Sequence, residues 1–141
     1  NMNLYKLHNN PETLYGYDQR YEIPGFAYDI AVNRDGRSPE LEPYIMKKPN
    51  HAYQYAKKFI KGRWPEAEQY IMKDPEWAYW YAQDIIKGRW LEAEQYIMKD
   101  LRWVYKYADD IIGGRWLDAE PYIMKDREWW DWYKDTFGLN N

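Results

Sequence analysis

In residues 65–73, PEAEQYIMK, the apolar side chains of Ala67, Tyr70 and Ile71 fall at i, i+3 and i+4. That spacing places them on one face of a helix. Pro65 suits the first helical position, where no backbone donor is needed. Glu66 and Glu68 lie at the positive end of the helix and Lys73 at the negative end. Asp74 then stands where an N-cap is wanted, with Pro75 after it. A second helix is predicted over 76–87, with Trp77, Ala78, Tyr81, Ala82, Ile85 and Ile86 on one side of the wheel. Gly88 is its expected left-handed stop.

The same pattern returns. "GRWPEAEQYIMKD" at 62–74 recurs at 88–100 as "GRWLEAEQYIMKD" and at 114–126 as "GRWLDAEPYIMKD". A worn copy, "GRSPELEPYIMKK", occupies 36–48. The period is 26 residues for glycine, arginine and tyrosine alike. A fixed period of this size marks stacked hairpins, because one hairpin cannot bury its apolar face alone. The predicted fold is all-α: an α-solenoid of four to five short antiparallel helical hairpins. We call the first helix of each hairpin A and the second B.

The ends of the chain depart from the pattern, as capping units do. "PGFAYDIAVNRDG" at 24–36 reads as a B helix with one residue deleted, and 11–23 as a degenerate A helix. "REWWDWYKDTFG" reads as a final B helix with Asp131 and Lys134 where earlier copies have tyrosine and alanine. The organisation expected is a single domain over 1–141, with a degenerate cap at 1–36, repeats at 37–126 and a capping helix at 127–141. Gly113-Gly114 replaces Lys-Gly and is expected to soften that joint.

Composition narrows the function classes. The chain has no cysteine, so disulfides, thiolate metal sites and cysteine nucleophiles are excluded together. No apolar run approaches the roughly 20 residues of a spanning helix, and no leader is visible at the start. No membrane association is expected, and the expected location is cytoplasmic. The net charge of −3 argues against a general polyanion binder. With Ser38 the one serine, and with His8 and His51 unrelated, no nucleophile–base pair presents itself, and the chain reads as a non-enzyme. His51 holds the slot of Trp77, Trp103 and Trp129. No metal-ligand spacing or phosphate-cradling loop is present, and no cofactor is expected.

The carboxylates recur with the repeat. Glu42, Glu68, Glu94 and Glu120 form one ladder, and Glu40, Glu66, Glu92 and Asp118 another. Helix N-terminal charge and pairing with the arginine ladder explain such a series better than catalysis does. Met46, Met72, Met98 and Met124 either pack between A helices or form an adaptable binding strip.

The positions where the copies disagree are the informative ones. On helix B they are Asn50/Glu76/Arg102/Glu128, Gln54/Trp80/Lys106/Trp132, Lys57/Gln83/Asp109/Asp135 and Lys58/Asp84/Asp110/Thr136, all on the face opposite the core stripe. Tyr53, Tyr79 and Tyr105 are expected to flank that face. Tryptophan is enriched at interface hot spots. The residues expected to bind a protein or peptide partner are therefore Trp80, Trp132, Tyr53, Tyr79, Tyr105, Lys106 and Gln54. The alternative for Trp80 is that it lies flat on its own helix. A second reading has nucleic acid running along Arg63, Arg89, Arg115, Lys73, Lys99 and Lys125. A third is self-assembly by end-to-end stacking of repeats.

The stretch "GRWPEAEQYIMKDPEWAYWYAQDIIKGRWLEAEQYIMKD" resembles a repeat found in uncharacterised proteins of tailed phages and other large DNA viruses. The likeness covers about 36–130 and departs in the copy at 36–61, at Ser38, Leu41 and Lys48. It implies a viral or phage-related origin and carries no functional residue over.

Overall fold

The structure is a computed structural model, and it describes residues 23–139. The segment at 11–22 and His8 lie outside the described residues. Those described are all-helical, with no strand among them. The chain divides into two units, residues 1–71 and 72–141, and each is taken by itself.

The first unit contains α1 (Ile23–Arg34), α2 (Glu42–Ile45), α3 (Pro49–Tyr55) and α4 (Pro65–Ile71), with α3 continuing into a π-helical turn, Ala56–Ile60. Helix α3 packs against α1, α2 and α4. The second unit contains α5 (Pro75–Tyr81), α6 (Leu91–Ile97), α7 (Leu101–Lys106), α8 (Glu120–Ile123) and α9 (Arg127–Phe137). Here α5 and α7 run on into π turns, Ala82–Ile86 and Tyr107–Ile112, and a 3-10 turn, Leu117–Ala119, leads into α8. The B helices α5, α7 and α9 pack in succession, each against an A helix as well.

Caps follow the sequence closely. Asp74 accepts hydrogen bonds from the backbone N–H of Glu76 and Trp77, Asp100 from Arg102 and Asp126 from Trp129. Lys48 supplies no side-chain cap. The C-terminal cap is a correction. The left-handed residue is not Gly88 but the residue before it, Lys87, at φ 62°, as is Lys61 at φ 61°. Gly113 holds this position at φ 76°. The Gly-Gly pair thus places glycine where the backbone favours it.

The π turns have a simple origin in chain length. In α1 the left-handed Asp35 donates to Ala31, four residues back, and in α9 Gly138 donates to Lys134. In the internal copies Lys61, Lys87 and Gly113 donate to Ala56, Ala82 and Ala108, five residues back. Each internal B helix has one residue more between the same two landmarks, and the wider turn absorbs it. A wheel drawn for an α-helix loses phase there. Hence Ala78, Tyr81 and Ala82 are fully buried, whereas Ile85 and Ile86 are only half-buried.

Tyrosines join the hairpins. Tyr107, the first residue of the π turn of a B helix, reaches Glu94 of its A helix. Its ring packs 4.9 Å from Trp116 of the next copy. Tyr55 does the same with Glu42 and, at 5.0 Å, with Trp64. The worn copy now has a reason. Ile30 of α1 stands where Tyr55 and Tyr107 stand, so no ring is offered to the position after Arg37, and Ser38 replaces tryptophan there.

Candidate functional site

The arginine and glutamate ladders meet. Arg89 donates through Nε and Nη2 to both oxygens of Glu94, at 2.9 and 2.8 Å. Arg37–Glu42, Arg63–Glu68 and Arg115–Glu120 are forked in the same way. The Tyr107 hydroxyl donates to Glu94 at 2.7 Å and accepts from the Trp90 backbone N–H at 2.7 Å. Tyr133 with Glu120 and Trp116, and Tyr55 with Glu42 and Ser38, repeat the arrangement. Glu94 and Glu120 are buried, and such a carboxylate is tolerated only when fully bonded.

The network shifts its own titrations. The forked bond to Glu42, Glu94 or Glu120 raises the pKa of Arg37, Arg89 and Arg115. The bond from Arg115 holds Glu120 below the usual carboxylate range. Burial, then the bond to glutamate, pushes Tyr55 and Tyr133 up to about 12. Burial followed by the Glu94 bond raises Tyr107 as well. These ladders are therefore a lock inside the hairpins of Glu42, Glu94 and Glu120. The basic residues named for nucleic acid are largely engaged: Arg63, Arg89 and Arg115 by carboxylates, and Lys99 and Lys125 by the rings of Tyr96 and Tyr122 at 5.4 and 5.6 Å. Lys73 is exposed.

The aromatic face of the B helices needs correction. Tyr53 and Tyr79 are 7% and 2% exposed, so neither ring is open to a partner. Tyr79 donates to Asp110 of the following B helix, and its ring packs 5.4 Å from Trp103. Burial and then Asp110 raise its pKa. Tyr105 is half-buried, shares a hydrogen bond with Thr136 and lies 6.0 Å from Trp129. Asp110 and Thr136, taken as free to vary, are the partners these tyrosines use. Trp80 is half-buried with its ring edge-on to Tyr79 at 5.0 Å, and Lys106 covers the Tyr79 ring at 5.7 Å. Gln54 and Trp132 are exposed. His51 stacks on Tyr28 at 5.1 Å, in the manner of the tryptophans whose slot it fills.

The larger apolar surface lies on the A helices of the second unit. Leu91, Leu117, Met124 and Tyr122 are 66, 64, 52 and 49% exposed. Between α6 and the turn into α8 runs an open groove of about 670 Å³, lined by Leu91, Glu94, Gln95, Met98, Lys99, Leu101, Asp118 and Tyr122. Glu94 forms the floor, fixed by Arg89 and Tyr107. The signal was present in the sequence. The residue after G-R-W or G-R-S is Pro39 and Pro65 in two copies but Leu91 and Leu117 in the others. Likewise Leu101 stands where Pro49 and Pro75 begin the two preceding B helices.

The described residues hold no group of three or more histidine, aspartate or glutamate side chains arranged for a metal ion. No helix among them is long and apolar enough to cross a membrane. The chain matches no protein-family model, no curated protein and no solved structure.

Proposed function

We propose that the protein is a non-enzymatic helical-repeat scaffold that binds a polypeptide segment in the groove of its second unit. The observation that carries this is the exchange of proline for exposed leucine. Proline at a helix start is pre-organised and costs no hydrogen bond. Leucine there gains the fold nothing when two-thirds of its surface faces water. Leu91 and Leu101 line the groove instead, beside Met98 and the Tyr122 ring. The occupant fitting this lining is a short segment with leucine- or phenylalanine-sized side chains. Gln95, Lys99 and Asp118 add polar groups along the rim that suit a peptide backbone. Methionine makes such a surface adaptable. The resemblance to viral repeats carries no activity over, so the reading rests on this surface.

The test is selection of a displayed library of random twelve-residue peptides on the full chain, with binders measured on wild type and on Leu91→Pro/Leu117→Pro. The expected binders carry spaced large apolar residues and lose about tenfold or more on the double variant, as for loss of hot-spot contacts. Binders that hold the variant as tightly as wild type, or no selectable binder, would refute the groove.

A further inference from the structure

The last B helix carries a second surface of different chemistry. Glu128, Asp131, Trp132 and Asp135 are spaced as one stripe along α9, and all are exposed. Trp132 is held edge-on against Trp129 at 5.1 Å, which fixes its ring while leaving it 49% exposed. Asp109 extends the acidic character onto the neighbouring B helix. Cations close to the stripe are already committed, Lys134 to Asp131 of the stripe itself. Lys134 lies over Trp130 at 5.7 Å and 3.8 Å from Asp131, Arg102 lies over Trp103, and Lys106 over Tyr79. Arg127 is exposed at the start of the helix. Among the described residues no cation lies over Trp132, and neither Glu128 nor Asp135 has an ion-pair partner.

This fold covers aromatic rings with lysine and arginine repeatedly. Over Trp132 the ring is present with Glu128 and Asp135 beside it, and among the described residues the cation is missing. We infer that the Trp132 stripe of α9 docks a lysine- or arginine-rich segment of a partner protein, one cationic side chain lying on the indole and its neighbours pairing with Glu128 and Asp135, with Asp131 adding its charge beside Lys134. Charge complementarity selects this occupant, since an acidic or nucleic-acid partner would meet like charge. An apolar partner would leave Glu128 and Asp135 facing it unpaired. The inference is independent of the groove on the A helices.

The experiment is fluorescence anisotropy of fluorescein-labelled octaarginine and octalysine on the full chain at low salt, with octaglutamate as control. Trp132→Ala is expected to weaken binding of the cationic peptides about fivefold, the size of an exposed cation–π contact. Glu128→Gln/Asp131→Asn/Asp135→Asn is expected to weaken it about tenfold or more, and Leu91→Pro/Leu117→Pro to leave it unchanged. Equal affinity of wild type and Trp132→Ala would reduce the effect to diffuse charge attraction and overturn the proposal. So would failure of both cationic peptides to bind. Circular dichroism of the variants, expected to match wild type because the altered side chains are solvent-facing, separates lost binding from lost structure.

Discussion

The A helices of the first unit open on Pro39 and Pro65, and those of the second on Leu91 and Leu117. Inside, the two units use the same lock: a forked arginine on a glutamate and a tyrosine hydroxyl closing the set. Outside, they diverge. Described residues of the first unit carry eight lysines and arginines against six acids, a net of +2, whereas those of the second carry ten against fourteen, a net of −4. The exposed leucines, the groove and the acidic tryptophan stripe all belong to the second. Repetition therefore fixes the scaffold, and the deviations from it set the surface.

The largest effect should come from titrating the shared lock everywhere at once. Tyr55 in one unit and Tyr133 in the other are both pushed to about 12, with burial the main cause. An unfolded tyrosine titrates near 10. Stability from these groups is complete below about pH 10 and is lost as pH rises toward 12. Tyrosinate absorbance and helicity should change together in that window. On the acid side Glu120 is depressed, so its contribution is present above about pH 4 and fades as pH falls through the folded value. Tyr55 and Tyr133 ionising near 10 with the helices intact would break the idea of a common lock.

Next, Glu94→Ala and Glu42→Ala should each cost about 1–3 kcal/mol, because each leaves a buried tyrosine hydroxyl without its acceptor, the guanidinium being half exposed to water. Urea unfolding measures this, and a loss confined to one unit would contradict the likeness of their interiors. A smaller effect separates the worn copy from the others. Ser38→Trp alone should destabilise, since no ring awaits it, and Ile30→Tyr/Ser38→Trp should recover about 1 kcal/mol of that through the restored ring pair. Smallest is the backbone effect. Lys61→Gly and Lys87→Gly should each stabilise by about 0.5–1 kcal/mol in thermal melts by relieving a left-handed residue, whereas Gly113→Lys should lose as much.

The helices, their aspartate caps and the arginine–glutamate pairing were legible because each is a local or fixed-spacing relation. Asp74 is read from its place before Pro75, and Glu94 from its distance to Arg89. Less legible was whatever depends on the neighbouring hairpin. Tyr79 looks like a flank of the outer face of its helix, yet a B helix is covered on two sides, and Trp103 and Asp110 of the next copy bury it. The one-residue difference between α1 and the internal B helices is plain in the sequence, but its expression as a π turn is not. That turn is why Ile85 and Ile86 left the predicted core. Leu91, Leu101 and Leu117 were readable as breaks in a proline pattern, but their meaning needed their exposure.

The most direct measurement is the melting temperature of Leu91→Pro/Leu117→Pro beside wild type. If these leucines serve a partner rather than the scaffold, the variant melts at the same temperature or slightly higher, since proline is compatible with a helix start and stiffens the unfolded chain. A clear fall in melting temperature would show that the leucines hold the hairpins together, and the groove would lose its claim to function.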